Sequence, residues 1–195
     1  MNKLLSLIII TAALTAGCKS DEKKADGQNM PAVSSSLPAG DVSYVAPKEW
    51  IPEPPQNPMR KAQFRLPGVD GQDAGEMAVF FFPGTGGSVD ANLDRWYGQF
   101  LQPDGGNTKD KVQSNKLEAN GLPVTVVYVT GTYKKPKNPM MMGGPVDEVP
   151  GYAMKAAIVE TANGPWFFKA VGPQKTMEHW NTSFDEFVKT FKVGQ

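Results

Sequence analysis

The chain opens with an apolar run, Leu4 to Ala13, preceded by Lys3 and followed by the small residues Ala16 and Gly17. The run is about half of the roughly 20 residues that a membrane-spanning helix needs. It reads as a targeting segment over residues 1–17. From Lys19 to about Gly40 the apolar periodicity disappears: mixed charges at Asp21-Glu22-Lys23-Lys24 give way to Ser34-Ser35-Ser36. Such a stretch buries too little to offset the entropy of ordering, so residues 18–46 are predicted to form a flexible tether. Pro47 to Pro58 is proline-rich and favours extended backbone. Trp50, inside it, is expected to cap the edge of a domain spanning 47–195.

Alternation then sets in. Ala62, Phe64 and Leu66 alternate with Lys61, Gln63 and Arg65, the period of a half-buried strand, and Pro67-Gly68 ends it. Glu76 to Phe82 is apolar at successive positions from Met77, which predicts a strand covered on both faces. After Pro83-Gly84-Thr85-Gly86-Gly87, Ser88 is placed to cap a helix, with Asp90 favourable in its first turn. Val89, Leu93, Trp96, Tyr97, Phe100 and Leu101 predict one apolar helical stripe. Lys111–Glu118 and Leu122–Tyr133 flank Asn120-Gly121, a preferred pair for a type I′ hairpin. Gly151–Glu160 and Pro165–Val171 flank Asn163-Gly164, where Pro165 argues for a longer turn. Thr176 is expected to cap a last helix with the stripe Met177, Trp180, Phe184, Phe187, Val188 and Phe191. These elements predict an α+β domain: a largely antiparallel twisted sheet of about five or six strands with two amphipathic helices packed on it.

Composition changes the picture little except at one residue. Lys and Arg balance Asp and Glu, so nothing here favours nucleic acid. Cys18 is the sole cysteine, and it follows the apolar run and the small residues Ala16 and Gly17. Lys3, the apolar run and Leu14-Thr15-Ala16-Gly17-Cys18 resemble a bacterial lipoprotein signal with its lipobox. That resemblance implies cleavage before Cys18 and a diacylglycerol on its sulfur. More than one acyl chain would hold the protein stably on a membrane. Lys19 stands where inner-membrane retention would place an aspartate, which in a host with two membranes implies the periplasmic face of the outer one.

The order of strands, hairpins and helices is similar to that of PsbP/Mog1-like domains. Met59-Arg60-Lys61-Ala62-Gln63-Phe64, Gly86-Gly87-Ser88-Val89-Asp90-Ala91-Asn92 with Arg95-Trp96, and Gly164-Pro165-Trp166-Phe167-Phe168-Lys169 resemble stretches of a set of uncharacterised bacterial lipoproteins. The resemblance implies an accessory or binding domain of the cell envelope and supplies no catalytic residue.

Candidate chemistry is sparse. Gly84–Ser88 joins a strand to a helix N-terminus, but no Gly-Lys-Ser/Thr follows and Asp90 would repel an anion. Asn92 and Gln99 share a helix face, with Asp94 and Arg95 nearby. Asn92 and Arg95 are thereby candidates for partner contact, against the plainer reading of a solvated face with an Asp–Arg pair. His179, the sole histidine, faces away from the apolar stripe, and a metal site or Cys–His catalysis lacks further parts. The connection from Lys134 to Gly151 is long and carries Met140, Met141 and Met142. The three methionines can offer a pliant apolar surface to a partner or bilayer, or thioethers to Cu(I). No cofactor, resident metal or catalytic set is expected. The leading reading is a lipid-anchored, non-enzymatic binding protein whose partner is another envelope protein. A carboxylate-based hydrolase and copper binding by the methionines are the alternatives.

Overall fold

The computed structural model describes residues 40–84, 86–138 and 143–194. Cys18, the predicted tether up to residue 39 and Met140–Met142 lie outside them. An eight-stranded antiparallel sheet forms the centre. Its strands are β2 (Ile51–Glu53), β3 (Arg60–Leu66), β4 (Gly75–Phe81), β5 (Phe100–Leu101), β6 (Gln113–Ala119), β7 (Leu122–Pro136), β8 (Val146–Val159) and β9 (Trp166–Pro173). They lie in the order β2-β3-β4-β9-β8-β7, and both β5 and β6 pair with β7. Two short strands, β1 (Val42–Ser43) and β10 (Lys192–Val193), pair separately.

Helix α1 (Val89–Tyr97) covers one face of the sheet; α2 (Gln174–His179) and α3 (Asn181–Lys189) cover the other. Successive residues of β4 and β9 supply both cores. Met77, Val79 and Phe168 pack with Phe184, Phe187 and Phe191, whereas Phe80 and Phe167 pack with Leu93 and Trp96. The expected α+β class and the two-sided burial of β4 both stand. The sheet is larger than the expected five or six strands because the short strands β2 and β5 join it.

Several local expectations change. The first helix stops at Tyr97, where the Gly98 N–H bonds to the Asp94 carbonyl at 3.0 Å, and does not reach Leu101. Glycine is a weak helix former, and Phe100 and Leu101 pair instead with Tyr133 and Thr132. Phe100 still packs with Leu93 and Trp96, which is why the apolar stripe read as continuous. Thr176 is not a cap but sits within α2, where its hydroxyl donates to the Asp73 carbonyl at 2.9 Å. The last helix is broken at Trp180, whose indole N–H donates to the Pro67 carbonyl.

Paired and packed residues also occur before the predicted domain boundary at 47. Val42 pairs with Val193, and the Tyr44 ring meets Phe168 and Phe187 edge-on at 5.3 and 5.4 Å. Burial of these side chains offsets the cost of ordering residues assigned to the tether. Trp50 is buried against Phe64, Phe184 and Phe187, the capping role expected of it.

The two predicted hairpins are present. Asn120 and Gly121 turn the first with φ of 49° and 83°. The β7–β8 pair runs further than the sequence suggests, because Lys134 and Lys135 lie opposite Glu148 and Asp147. Facing opposite charges support pairing where apolar side chains are lacking. The connection thus shrinks from 134–151 to 137–145.

Candidate binding site

β6 is the strand from which a site can be built. One side of it pairs with β7 from Gln113↔Tyr128 to Ala119↔Leu122. Among the described residues no strand pairs with its other side. Its side chains alternate between the sheet faces, and a groove runs along each. On the α3 side Gln113, Asn115 and Leu117 border a groove of about 530 Å³, completed by Tyr128, Lys155 and Asp185. On the α1 side Ser114 and Lys116 border one of about 250 Å³ with Leu93 and Tyr97.

The floor of the larger groove is polar although it lies deep in the sheet. Lys155 is only 4% exposed. Its Nζ donates to the Asn181 carbonyl at 2.9 Å and side-chain oxygen at 2.6 Å, and pairs with Asp185 Oδ1 at 2.7 Å. The ammonium also lies 5.4 Å from the Phe184 ring centre. Burial pushes the Lys155 pKa down, and Asp185 opposes that shift. Opposite it in register, the Tyr128 hydroxyl is buried without a hydrogen-bond partner. Burial, and then the charge of Glu178, push its pKa up to about 12. Tyr128 is therefore a neutral donor and acceptor that nothing yet uses.

On the opposite face the structure places the polar residues singled out on the first helix. Asn92 is not a surface contact residue. It is 5% exposed, and its amide donates to the Gly86 and Ser88 carbonyls at 2.6 and 3.0 Å. Its Oδ1 accepts from Arg95 Nη2 at 2.7 Å. An Asn there closes the strand-to-helix loop, which requires its burial. Arg95 itself is exposed. The anticipated Asp–Arg pairing is replaced by an Asp94–Lys109 pair at 2.9 Å. Gln99 turns back over the sheet to accept from Lys169 Nζ. The Lys169 ammonium also lies 5.8 Å from the Trp96 ring centre. Burial, followed by the charges of Arg95 and Arg60, lowers its pKa to about 7, with Glu76 opposing.

Sequence reasoning passed over Lys155 and Lys169. The available signal was a lysine inside an apolar strand run, Met154-Lys155-Ala156 and Phe168-Lys169-Ala170. His179 is exposed, edge-on to Trp180 at 4.6 Å. Among the described residues no group of three or more His, Cys, Asp or Glu side chains is placed to hold a metal. Of the carboxylates along the grooves, Asp185 and Asp94 are each paired with a lysine, while Glu118 and Asp90 also line them.

No protein-family model matches the chain, and no curated protein sequence matches it. Solved structures of similar fold include these three. One is a protein of unknown function from Pseudomonas aeruginosa, at 10% identity over 80% of this chain and 99% of that one, with a TM-score of 0.45. Another is LpqN, involved in cell envelope biogenesis of Mycobacterium tuberculosis, at 8% identity over 81% and 86%, with a TM-score of 0.49. The third is the cyanobacterial PsbP of Synechocystis, at 11% identity over 84% and 96%, with a TM-score of 0.46.

Two outcomes follow from the buried groups. Tyr128→Phe removes a buried hydroxyl that has no partner, so the unfolding free energy should rise by about 1 kcal/mol in urea titration. For Lys169, the folded pKa of about 7 lies below the ordinary 10.5. Between those values the unfolded chain binds more protons, so stability climbs with pH there and is insensitive to this group below about 7. Thermal melts should show a shallower climb in Lys169→Met, with Lys155 contributing what is left.

Proposed function

We propose that this protein is carried on a lipid at Cys18 in the cell envelope and that its folded domain binds another envelope protein without chemical turnover. In a host with two membranes, the anchor would lie on the periplasmic face of the outer one. The signal-like N-terminus supports the anchor. The observation that carries the binding reading is the free side of β6 with a groove along each face.

That arrangement suits an extended polypeptide segment that adds as another strand. Its backbone would bond to the open side of β6, while alternate side chains enter the two grooves. Lys116 and Glu118 restrain unspecific pairing at such an edge, as charged side chains commonly do. Tyr128 would gain its missing partner on the α3 side. The β7–β8 ribbon is proposed to add a second contact. It continues as a pair to Pro136↔Val146, and Val146 is exposed on it. Met140–Met142 join its two strands, between Asn138 and Gly143.

Two experiments test the two halves. Cys18→Ser should abolish acyl labelling and move the expressed protein from the membrane to the soluble fraction; unchanged partitioning refutes the anchor. Peptides selected from a random library for binding should slow hydrogen exchange of the amides of 113–118. Protection confined to other strands refutes strand addition at β6.

A further inference from the structure

We propose that Arg60, Arg95 and Lys169 form a second site, on the α1 face, that binds an oxyanion of the phosphate class. The strand registers place the groups. Arg60 Nη1 donates to Gln63 Oε1 at 2.6 Å. Gln63 lies opposite Ala78, and Ala78 lies opposite Lys169. Gln63 and Lys169 are thus two strand spacings apart, about 10 Å, with one methyl group between them. From α1, the Trp96 ring lies 5.8 Å from the Lys169 ammonium, and the neighbouring Arg95 is close enough for its charge to act on that ammonium.

Charge in this region is unbalanced. Glu76 pairs with Arg60 Nη2 at 2.8 Å and attracts the Lys169 ammonium. Glu53 lies further along the same face, where Arg65 engages it at 3.2 Å and Gln63 donates to its other oxygen. Tyr133 of β7 also senses Glu76 and Arg60, but burial raises its pKa and keeps it neutral. From β8, the residue opposite Lys169 is Ala156, which carries no charge.

The cations are also incompletely satisfied. The Arg60 side chain is 10% exposed, yet its Nε is buried without a hydrogen-bond partner. The Lys169 ammonium has Gln99 as its hydrogen-bonding partner and the Trp96 face beside it. The Arg95 and Arg60 guanidinium groups both repel the Lys169 ammonium, and Glu76 attracts it. An oxyanion offsets that repulsion and supplies acceptors for the unused N–H groups. Guanidinium forks match phosphate oxygens, which favours this class over a halide. The exposed Arg95 and the part-exposed Glu76, at 39%, leave the site open to solvent. A phosphate group can reach it free in solution or carried by a lipid headgroup.

The test uses the full chain with Cys18→Ser, and inorganic phosphate as the probe in calorimetry at about pH 6.5. Saturable binding is expected with Kd of about 1 mM or tighter, weakened at least about tenfold by either Lys169→Met or Arg95→Gln. Binding should take up a proton near neutral pH in the parent chain and not in Lys169→Met. A second arm measures retention on phosphatidylcholine vesicles with and without phosphatidic acid. Retention that requires phosphatidic acid and is lost in both variants assigns the phosphate to a headgroup. Arg95 is a surface residue, so Arg95→Gln remains informative if Lys169→Met fails to fold. The proposal is overturned if neither arm shows saturable binding, or if the binding seen survives both substitutions.

Discussion

Phe167 and Phe168 are neighbours in the central strand β9 and must point to opposite faces of the sheet, yet both are almost wholly buried. Neither face can then be left to water, and the rest of the architecture answers that demand. Phe168 stacks on Phe191 at 4.3 Å and meets Tyr44 and Phe187 edge-on. Phe167 meets the Trp96 ring of α1 at 5.9 Å. Each such aromatic contact contributes about 0.5–1.5 kcal/mol beyond the area it buries. One dipeptide thus recruits Tyr44, the first helix and the last helix into a common structure.

The two covers are unequal, and the candidate sites lie where cover gives out. A nine-residue helix is about 13 Å long, too short to span a sheet of this width. Beyond α1, the face over β3 and β4 is therefore finished with polar side chains, Arg60, Gln63 and Glu76. On the other face α3 reaches as far as Lys155 and holds it through Asn181 and Asp185. Past that point the sheet ends in β6, whose residues are mostly exposed. A lysine on each side, Lys155 buried and Lys169 half-buried, marks the limit of the apolar core.

Much of this was legible in the residues. Period-2 alternation located β3, and unbroken apolar character showed that β4 is covered on both faces. Asn120-Gly121 fixed the first hairpin, and Ser88 capped α1 as expected, accepting from the Ala91 N–H. The misjudged elements share a cause: local pattern was overridden by a distant partner. Phe100 completes a helical stripe in one dimension but is held by Tyr133 in three. Val42 and Tyr44 look like tether until Val193 and the Phe168 cluster are beside them. Asn92 reads as a surface residue because its acceptors, the Gly86 and Ser88 carbonyls, are backbone atoms that residue types do not reveal. Lys155 and Lys169 were hidden for a related reason, since a strand pattern does not say whether a buried ammonium has found partners.

The pairing of β1 with β10 reaches beyond stability. Val42 lies against Val193, and the Gly194 N–H bonds to the Asp41 carbonyl at 2.6 Å. Residues 41 and 194, at the two ends of the described chain, therefore meet at a single corner. A pull transmitted along the N-terminal segment would load this two-residue clasp first, before any strand of the main sheet.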